Sequence, residues 1–226
     1  NDDNSHTHDA QISILPTVLL PEFWQNNFGW SDVNEKNWDY ASLFQQHSQT
    51  ATIVASLLQP QSVGEVTLGG TGTDDVPLID HNYMDPTTHD AEILVEILKE
   101  AAKIALTSPM DARISVPRSV FQAAGVEYCD DISTCVDDND LWREYVRQYT
   151  STYYHPTSTC RIGDVVDSTG KVLGAKNLRI ADASIMPNLP SGNTMAPSIM
   201  IGEKVASETS KEHGIAILNR MRSIEG

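Results

Sequence analysis

The stretch from Tyr154 to Ala206 leaves the chain few choices. It opens YHPTSTCRIG, runs through a Gly-containing turn, and continues NLRIADASIMPNLPSGNTMAPSIMIGEKVA. Pro156 biases His155 toward an extended backbone, which sets the direction in which the imidazole leaves the chain. A turn at 169–171 separates 164–167 from 172–173 and predicts a hairpin-like arrangement. The apolar run 178–181 reads as a strand that ends at Asp182. A loop rich in Pro, Ser and Gly follows over 187–192. Pro197 fits the first position of a helix that continues over 198–210.

The preceding residues read as support for this segment. Residues 1–9 are polar and predict a flexible tail. Residues 11–20 (QISILPTVLL) read as a strand that Pro16 marks as an edge or a bulge. Phe23, Trp24, Phe28, Trp30, Trp38, Tyr40 and Phe44 follow without helical or strand periodicity. They read either as a functional, lid-like loop or as aromatics that plug a core. Residues 51–58 and 65–68 predict strands, and 76–80 predicts a third that returns after the turn GGTGTDD. That turn is neither a phosphate loop nor a G-x-G-x-x-G, and it predicts a hairpin connection. The spacing of Ile93, Leu94, Ile97, Leu98, Ala101, Ile104 and Ala105 predicts a helix over 90–107, with Thr87, Thr88 or Asp90 as its cap. Residues 116–125 read as irregular or as a short helix. A second amphipathic helix is expected over 137–150, with Leu141, Trp142, Tyr145, Val146 and Tyr149 as its buried stripe.

A chain of 226 residues is long enough to bury a substantial core. Its formal charge of −16 argues against a nucleic-acid or anionic-lipid partner. No apolar run approaches the roughly 18 residues of a membrane span. The sequence starts without Met or a targeting segment, which predicts a processed or excised piece. Cys129 and Cys135 flank a polar DDIST loop, a spacing that permits a disulfide in an oxidising compartment, with two free thiols as the other state. Two cysteines with no nearby histidine fall short of a zinc site, and no metal is expected.

Three side chains stand where chemistry can be assembled. His155 is of the residue type that can take a proton from a hydroxyl, or it can serve as a structural hydrogen-bonder beside two tyrosines. Asn193 lies just before the last helix, where unpaired backbone N–H groups favour developing negative charge; the plainer role is a cap or loop former. Asp182 ends the short run beyond which ligands bind in open α/β sheets, and it can accept a ribityl or ribose hydroxyl. Its plainer role is a turn or helix cap. A Ser-His-Asp hydrolase is disfavoured because no G-x-S-x-G elbow occurs.

Taken together, YHPTSTCRIG and the segment KVLGAKNLRIADASIMPNLPSGNTMAPSIMIGEKVA closely resemble the end of the glucose–methanol–choline (GMC) flavin oxidoreductases. QPQSVGEVTL at 59–68 resembles the family's P-x-S-x-G-x-V-x-L segment, and PLIDHNY at 77–83 with the helix after it also fits. The resemblance spans residues 10–208 and implies an α+β fold. Residues 10–153 would form a substrate-binding domain with an antiparallel sheet flanked by helices. Residues 154–226 would add the strand, loop and helix that complete an FAD-binding α/β domain. The family's G-x-G-x-x-G is absent from these residues, so the resemblance implies a second chain, the N-terminal FAD-binding fragment of the same precursor. It further implies FAD as cofactor and His155 as the base beside flavin N5. Asn193 would be its partner on the substrate oxygen, and Asp182, Ala183, Asn193, Thr194 and Met195 would lie along the cofactor. The expected reaction is alcohol oxidation by hydride transfer to flavin N5, on a small apolar or aromatic substrate. A lyase, cyclase or decarboxylase on the same scaffold, or a flavin-free binding module, are the alternatives. The processing and the Cys129–Cys135 pair point to a secreted protein.

Overall fold

The structure is a computed structural model that describes residues 10–15, 51–111 and 132–215. The aromatic stretch, residues 16–20, residues 116–125 and Cys129 lie outside the described residues. The chain divides into two compact units, one of Asn1–Gly64 with His81–Tyr153, the other of Glu65–Asp80 with Tyr154–Gly226.

In the first unit, β1 (Ala10–Leu15) pairs antiparallel with β2 (Thr52–Leu57), in a register that opposes Ile12 to Ala55. Alternation places Ile12 and Ala55 on one face, where they meet α1 (Asp90–Ala105). A short α2 (Ile132–Cys135) precedes α3 (Asn139–Tyr149). Leu94, Val95 and Ile97 of α1 pack with Leu141, Trp142 and Val146 of α3 to form the core. The Trp142 indole Nε1 donates to the Val136 carbonyl at 2.8 Å, so this large side chain is buried without an orphaned donor.

The buried stripe of α1 differs from the one its spacing predicts. Val95 is fully buried and Ile104 is exposed. Lys99 is buried too, and its ammonium reaches Glu96 at 3.0 Å and Asn139 at 2.8 Å. The aliphatic stem fills space between the helices while both acceptors satisfy the charge. Arg143 forks onto Glu92 at 2.8 and 2.9 Å and so ties α3 to α1 on an exposed face, where solvent screening keeps its contribution small.

The start of α1 also departs from expectation. His89 holds the cap position without a side-chain bond, and Asp90 is turned inward instead. The Asp90 carboxylate accepts the backbone N–H groups of Gln61 and Ser62, both at 2.8 Å, and the Ser62 hydroxyl at 2.5 Å. Ser62 Oγ in turn lies within 3.1 Å of the Asp85 N–H and 3.2 Å of Thr88 Oγ1. The P-x-S-x-G segment therefore acts here as a backbone clamp. A buried carboxylate is tolerated because three donors converge on it, near the positive end of a helix.

In the second unit, β3 (Glu65–Thr67) and β4 (Leu78–Asp80) form the expected antiparallel hairpin. The run 178–181 forms no strand. Arg179 makes a single bridge to Lys171, and Val166 bridges Val172. The ladder cannot lengthen because turns at Gly170 (φ +82°) and Gly174 (φ +77°) leave its partner segment only three residues long. Gly170 also has no room for a side chain, since a Cβ there would lie 2.7 Å from the Ile180 carbonyl oxygen and 3.0 Å from Val205. A single turn of 3-10 helix, Ala183–Ile185, leads to α4 (Met195–Glu212). Val166, Ile185 and Met186 bury against Ile201 and Val205 of α4. Cys135 is disulfide-bonded and Cys160 is a free thiol. No helix among the described residues is long and apolar enough to cross a membrane.

Two outcomes follow from the clamp and the tight turn. Asp90→Ala strands donors inside the fold and lowers the unfolding free energy by about 2–3 kcal/mol in a denaturant titration. A loss below about 0.5 kcal/mol, the level of an ordinary surface change, would show that the 61–62 loop holds without it. Gly170→Ala combines a left-handed backbone with a clash and costs about 2 kcal/mol in thermal unfolding; an unchanged midpoint counts against the close approach.

Candidate active site

All six residues singled out for chemistry, His155, Asp182, Ala183, Asn193, Thr194 and Met195, belong to the second unit. Three local structures carry them.

The first is the loop that begins at Tyr154. His155 is half-buried within it. The non-glycine residues Tyr154 (φ +58°) and Ser158 (φ +69°) are left-handed, and they bracket His155, Pro156 and Thr157. After the loop, alternate backbone amides dock on the 3-10 turn. Ser158 donates to the Ala183 carbonyl at 3.3 Å, Cys160 to Ser184 at 2.9 Å, and Ile162 to Ile185 at 3.0 Å. The backbone three residues past His155 is thus bonded to the backbone of Ala183.

The second structure is that turn. Asp182 has an extended backbone (φ −141°, ψ −174°) and caps the turn, its Oδ1 accepting the Ser184 N–H at 2.8 Å. The capping role weighed for it from sequence is the one its geometry displays. Its side chain remains exposed, and one carboxylate oxygen has no hydrogen bond among the described residues.

The third is the start of α4. The helix begins at Met195 with Thr194 as cap residue, so Pro197 occupies the third helical position rather than the first. The shift changes little, since every N–H of the first turn lacks an intrahelical partner and the one that proline lacks is not missed. Asn193 precedes the cap and is exposed. The Thr194 side chain makes no capping bond, and its carbonyl accepts both the N–H and the hydroxyl of Ser198, at 3.0 and 2.6 Å. The amides of Met195 and Ala196 are therefore donors at the positive end of a helix of 18 residues. Met195 is 73% exposed.

The frame behind these elements is polar at its far end. Asp167 accepts the hydroxyl and N–H of Thr169 at 2.7 and 2.8 Å and the Lys171 N–H at 3.0 Å, which holds its carboxyl below the usual range. Glu212, at the end of α4, is held low by Lys171 at 2.8 Å and by Arg179. Arg179 also donates to the Thr169 carbonyl at 2.6 Å. An acid at a helix C-terminus is unfavourable alone, and two cations offset it here. Sequence reasoning missed Arg179 and Glu212, which lie 33 residues apart in the chain. It also missed the left-handed Tyr154 and Ser158, whose residue types carry no signal for that backbone.

The donor set suits a flavin dinucleotide. Exposed amides at a helix N-terminus match carbonyl or anionic oxygens, and the free oxygen of Asp182 matches a hydroxyl. Among the described residues, no cluster of three or more His, Cys, Asp and Glu side chains has the arrangement of a metal site.

Comparison with known proteins agrees with this chemistry. The family model for GMC oxidoreductase matches residues 60–202. An alcohol dehydrogenase (acceptor) of Pseudomonas putida is 36% identical over 167 residues, covering 72% of this chain and 28% of that protein. A solved fungal aryl-alcohol oxidase superposes with a TM-score of 0.58 at 27% identity, over 75% of this chain and 26% of that one. A formate oxidase of Aspergillus oryzae, solved for its FAD modification, gives a TM-score of 0.52 at 25% identity, over 74% of this chain and 28% of that one. The chain thus spans under a third of the length of these relatives. FAD is the cofactor of the family these proteins represent. With the family model matched over most of its length, the chain belongs to the GMC oxidoreductases.

Proposed function

We propose that this chain carries the substrate-facing and proton-handling part of an FAD-dependent enzyme that oxidises a CH–OH group. The observation that carries the reading is the grouping, in one compact unit, of the His155 loop, the Asp182 turn and the start of α4. Each supplies one function such an oxidation requires.

His155 takes the proton of the substrate hydroxyl. Asn193 donates a side-chain N–H to the same oxygen and holds the carbon in a reactive geometry. Asn193, Thr194 and Met195, where the amides open α4, would hold the cofactor's ring system and supply stabilisation of negative charge there, and Asp182 with Ala183 would hold its ribityl chain. When bound, FAD supplies the acceptor for the hydride. Residues 154–226 are assigned to the cofactor domain and residues 10–153 to a substrate-binding domain. The G-x-G-x-x-G that grips the dinucleotide is supplied by the N-terminal part of the precursor, outside these residues. The aryl-alcohol oxidase among the structural relatives supports an aromatic or apolar substrate, as does the run of aromatics at 23–44. The disulfide at Cys135 supports a secreted protein, because such bonds persist in oxidising compartments.

His155→Ala in the FAD-loaded enzyme slows anaerobic flavin reduction by alcohol on the order of a hundredfold to ten-thousandfold, with the flavin band retained. Asn193→Ala loses on the order of a hundredfold. Flavin bleaching as fast as in the parent would overturn the base assignment for His155. A parent whose flavin is never bleached by any alcohol would point to a lyase, cyclase or decarboxylase, and purified material without a flavin spectrum would point to a binding module.

A further inference from the structure

The loop that carries His155 is held in a conformation its residues disfavour. Tyr154 and Ser158 both adopt left-handed backbone, at φ +58° and +69°. L-residues other than glycine, and to a lesser degree Asn and Asp, avoid that region because Cβ crowds the following carbonyl oxygen. Five positive-φ non-glycine residues occur among the described residues, and two of them lie within three positions of His155. Between them Pro156 fixes its own φ and restricts His155. The loop therefore has rigid corners at Tyr154 and Ser158 and a stiff centre.

The surroundings of Ser158 hold its corner in place. Its N–H is bonded to the Ala183 carbonyl at 3.3 Å, and its carbonyl accepts from Arg161 Nε at 3.5 Å. Its hydroxyl donates to Thr157 Oγ1 at 3.1 Å, a contact that ties it to its neighbour and not to another element. Ordinary helix or strand geometry at 158 would redirect the HPT tripeptide relative to the Ala183 turn, to which the Ser158 N–H is bonded. Unfavourable backbone of this kind persists where surrounding contacts over-determine it, and it clusters at sites where one side chain has to be aimed.

We propose that Tyr154 and Ser158 are positioning residues, whose left-handed backbones aim the His155 imidazole at the substrate hydroxyl. The claim rests on His155 being the base. It assigns the effect to the backbone conformation of these two positions and not to their side chains.

The test compares replacements by their tolerance of left-handed backbone, in the FAD-loaded enzyme. Ser158→Gly and Tyr154→Asn accept it; Ser158→Val and Tyr154→Ile resist it. The Val and Ile variants lose on the order of a hundredfold in kcat with KM little changed, the effect of misplacing a catalytic group by about 1 Å. The Gly and Asn variants keep kcat. The His155 ring-proton resonance moves in the Val and Ile variants and stays in the Gly and Asn variants, which reports the imidazole's surroundings independently of turnover. If Val or Ile costs the protein its flavin, Ser158→Thr and Tyr154→Thr replace them, since β-branching penalises positive φ beyond the Cβ that Ser and Tyr already carry. Equal kcat across all variants overturns the proposal, as does a Gly or Asn variant that falls as far as Val or Ile. His155→Ala run in parallel separates the two claims. Fast flavin reduction there removes the base. Slow reduction there, with no contrast between Gly and Val, removes only the positioning role.

Discussion

Three backbone hydrogen bonds, from Ser158, Cys160 and Ile162 to Ala183, Ser184 and Ile185, hold the second unit's chemistry together. Each contributes about 1 kcal/mol net, so their value is geometric rather than energetic. They give the His155 loop and the Asp182 turn a fixed separation along the chain's own backbone, independent of any side chain. Ile185 and the adjacent Met186 then bury against Ile201 and Val205. The apolar contact passes that alignment on to α4 and so to the start of the helix beside Asn193. Backbone bonding sets the first link and close packing sets the second.

The other unit solves a different problem by similar means. A helix N-terminus favours nearby negative charge, and a loop of short polar residues needs an anchor. Asp90 answers both by turning its carboxylate away from the capping position and onto Gln61 and Ser62. The result is a buried charge whose donors are mostly backbone, which makes the arrangement insensitive to neighbouring side chains and sensitive to Asp90 itself. Lys99 shows the same logic with opposite sign, an ammonium buried between helices because Glu96 and Asn139 meet it there.

Chemically, the second unit keeps polar groups in reserve. Among the described residues, the amides that open α4, an oxygen of Asp182 and the exposed side chain of Asn193 are donors and acceptors that the fold itself does not consume. A folded chain usually satisfies such groups internally. They sit on elements that share one small core, and the proposed cofactor contacts rest on that grouping.

The sequence alone determined the parts of this protein that depend on local rules. Periodicity located α1 and α3, a glycine-rich turn gave the 65–80 hairpin, and a proline announced α4 to within two residues. The ordered motifs around His155 and Asn193 identified the family, because chemistry constrains residue type and order together. The tertiary structure decided the rest. It turned Asp90 from a cap into a clamp, buried Lys99, exposed Ile104, and reduced the expected strand at 178–181 to one bridge. It also placed Tyr154 and Ser158 in left-handed backbone, which no propensity scale assigns to tyrosine or serine. Those outcomes depend on contacts between residues far apart in the chain. Asp90 meets Ser62 across 28 positions and Arg179 meets Glu212 across 33. A local pattern holds no record of which distant group will arrive to satisfy a charge or hold a strained turn, and only the folded chain supplies that partner.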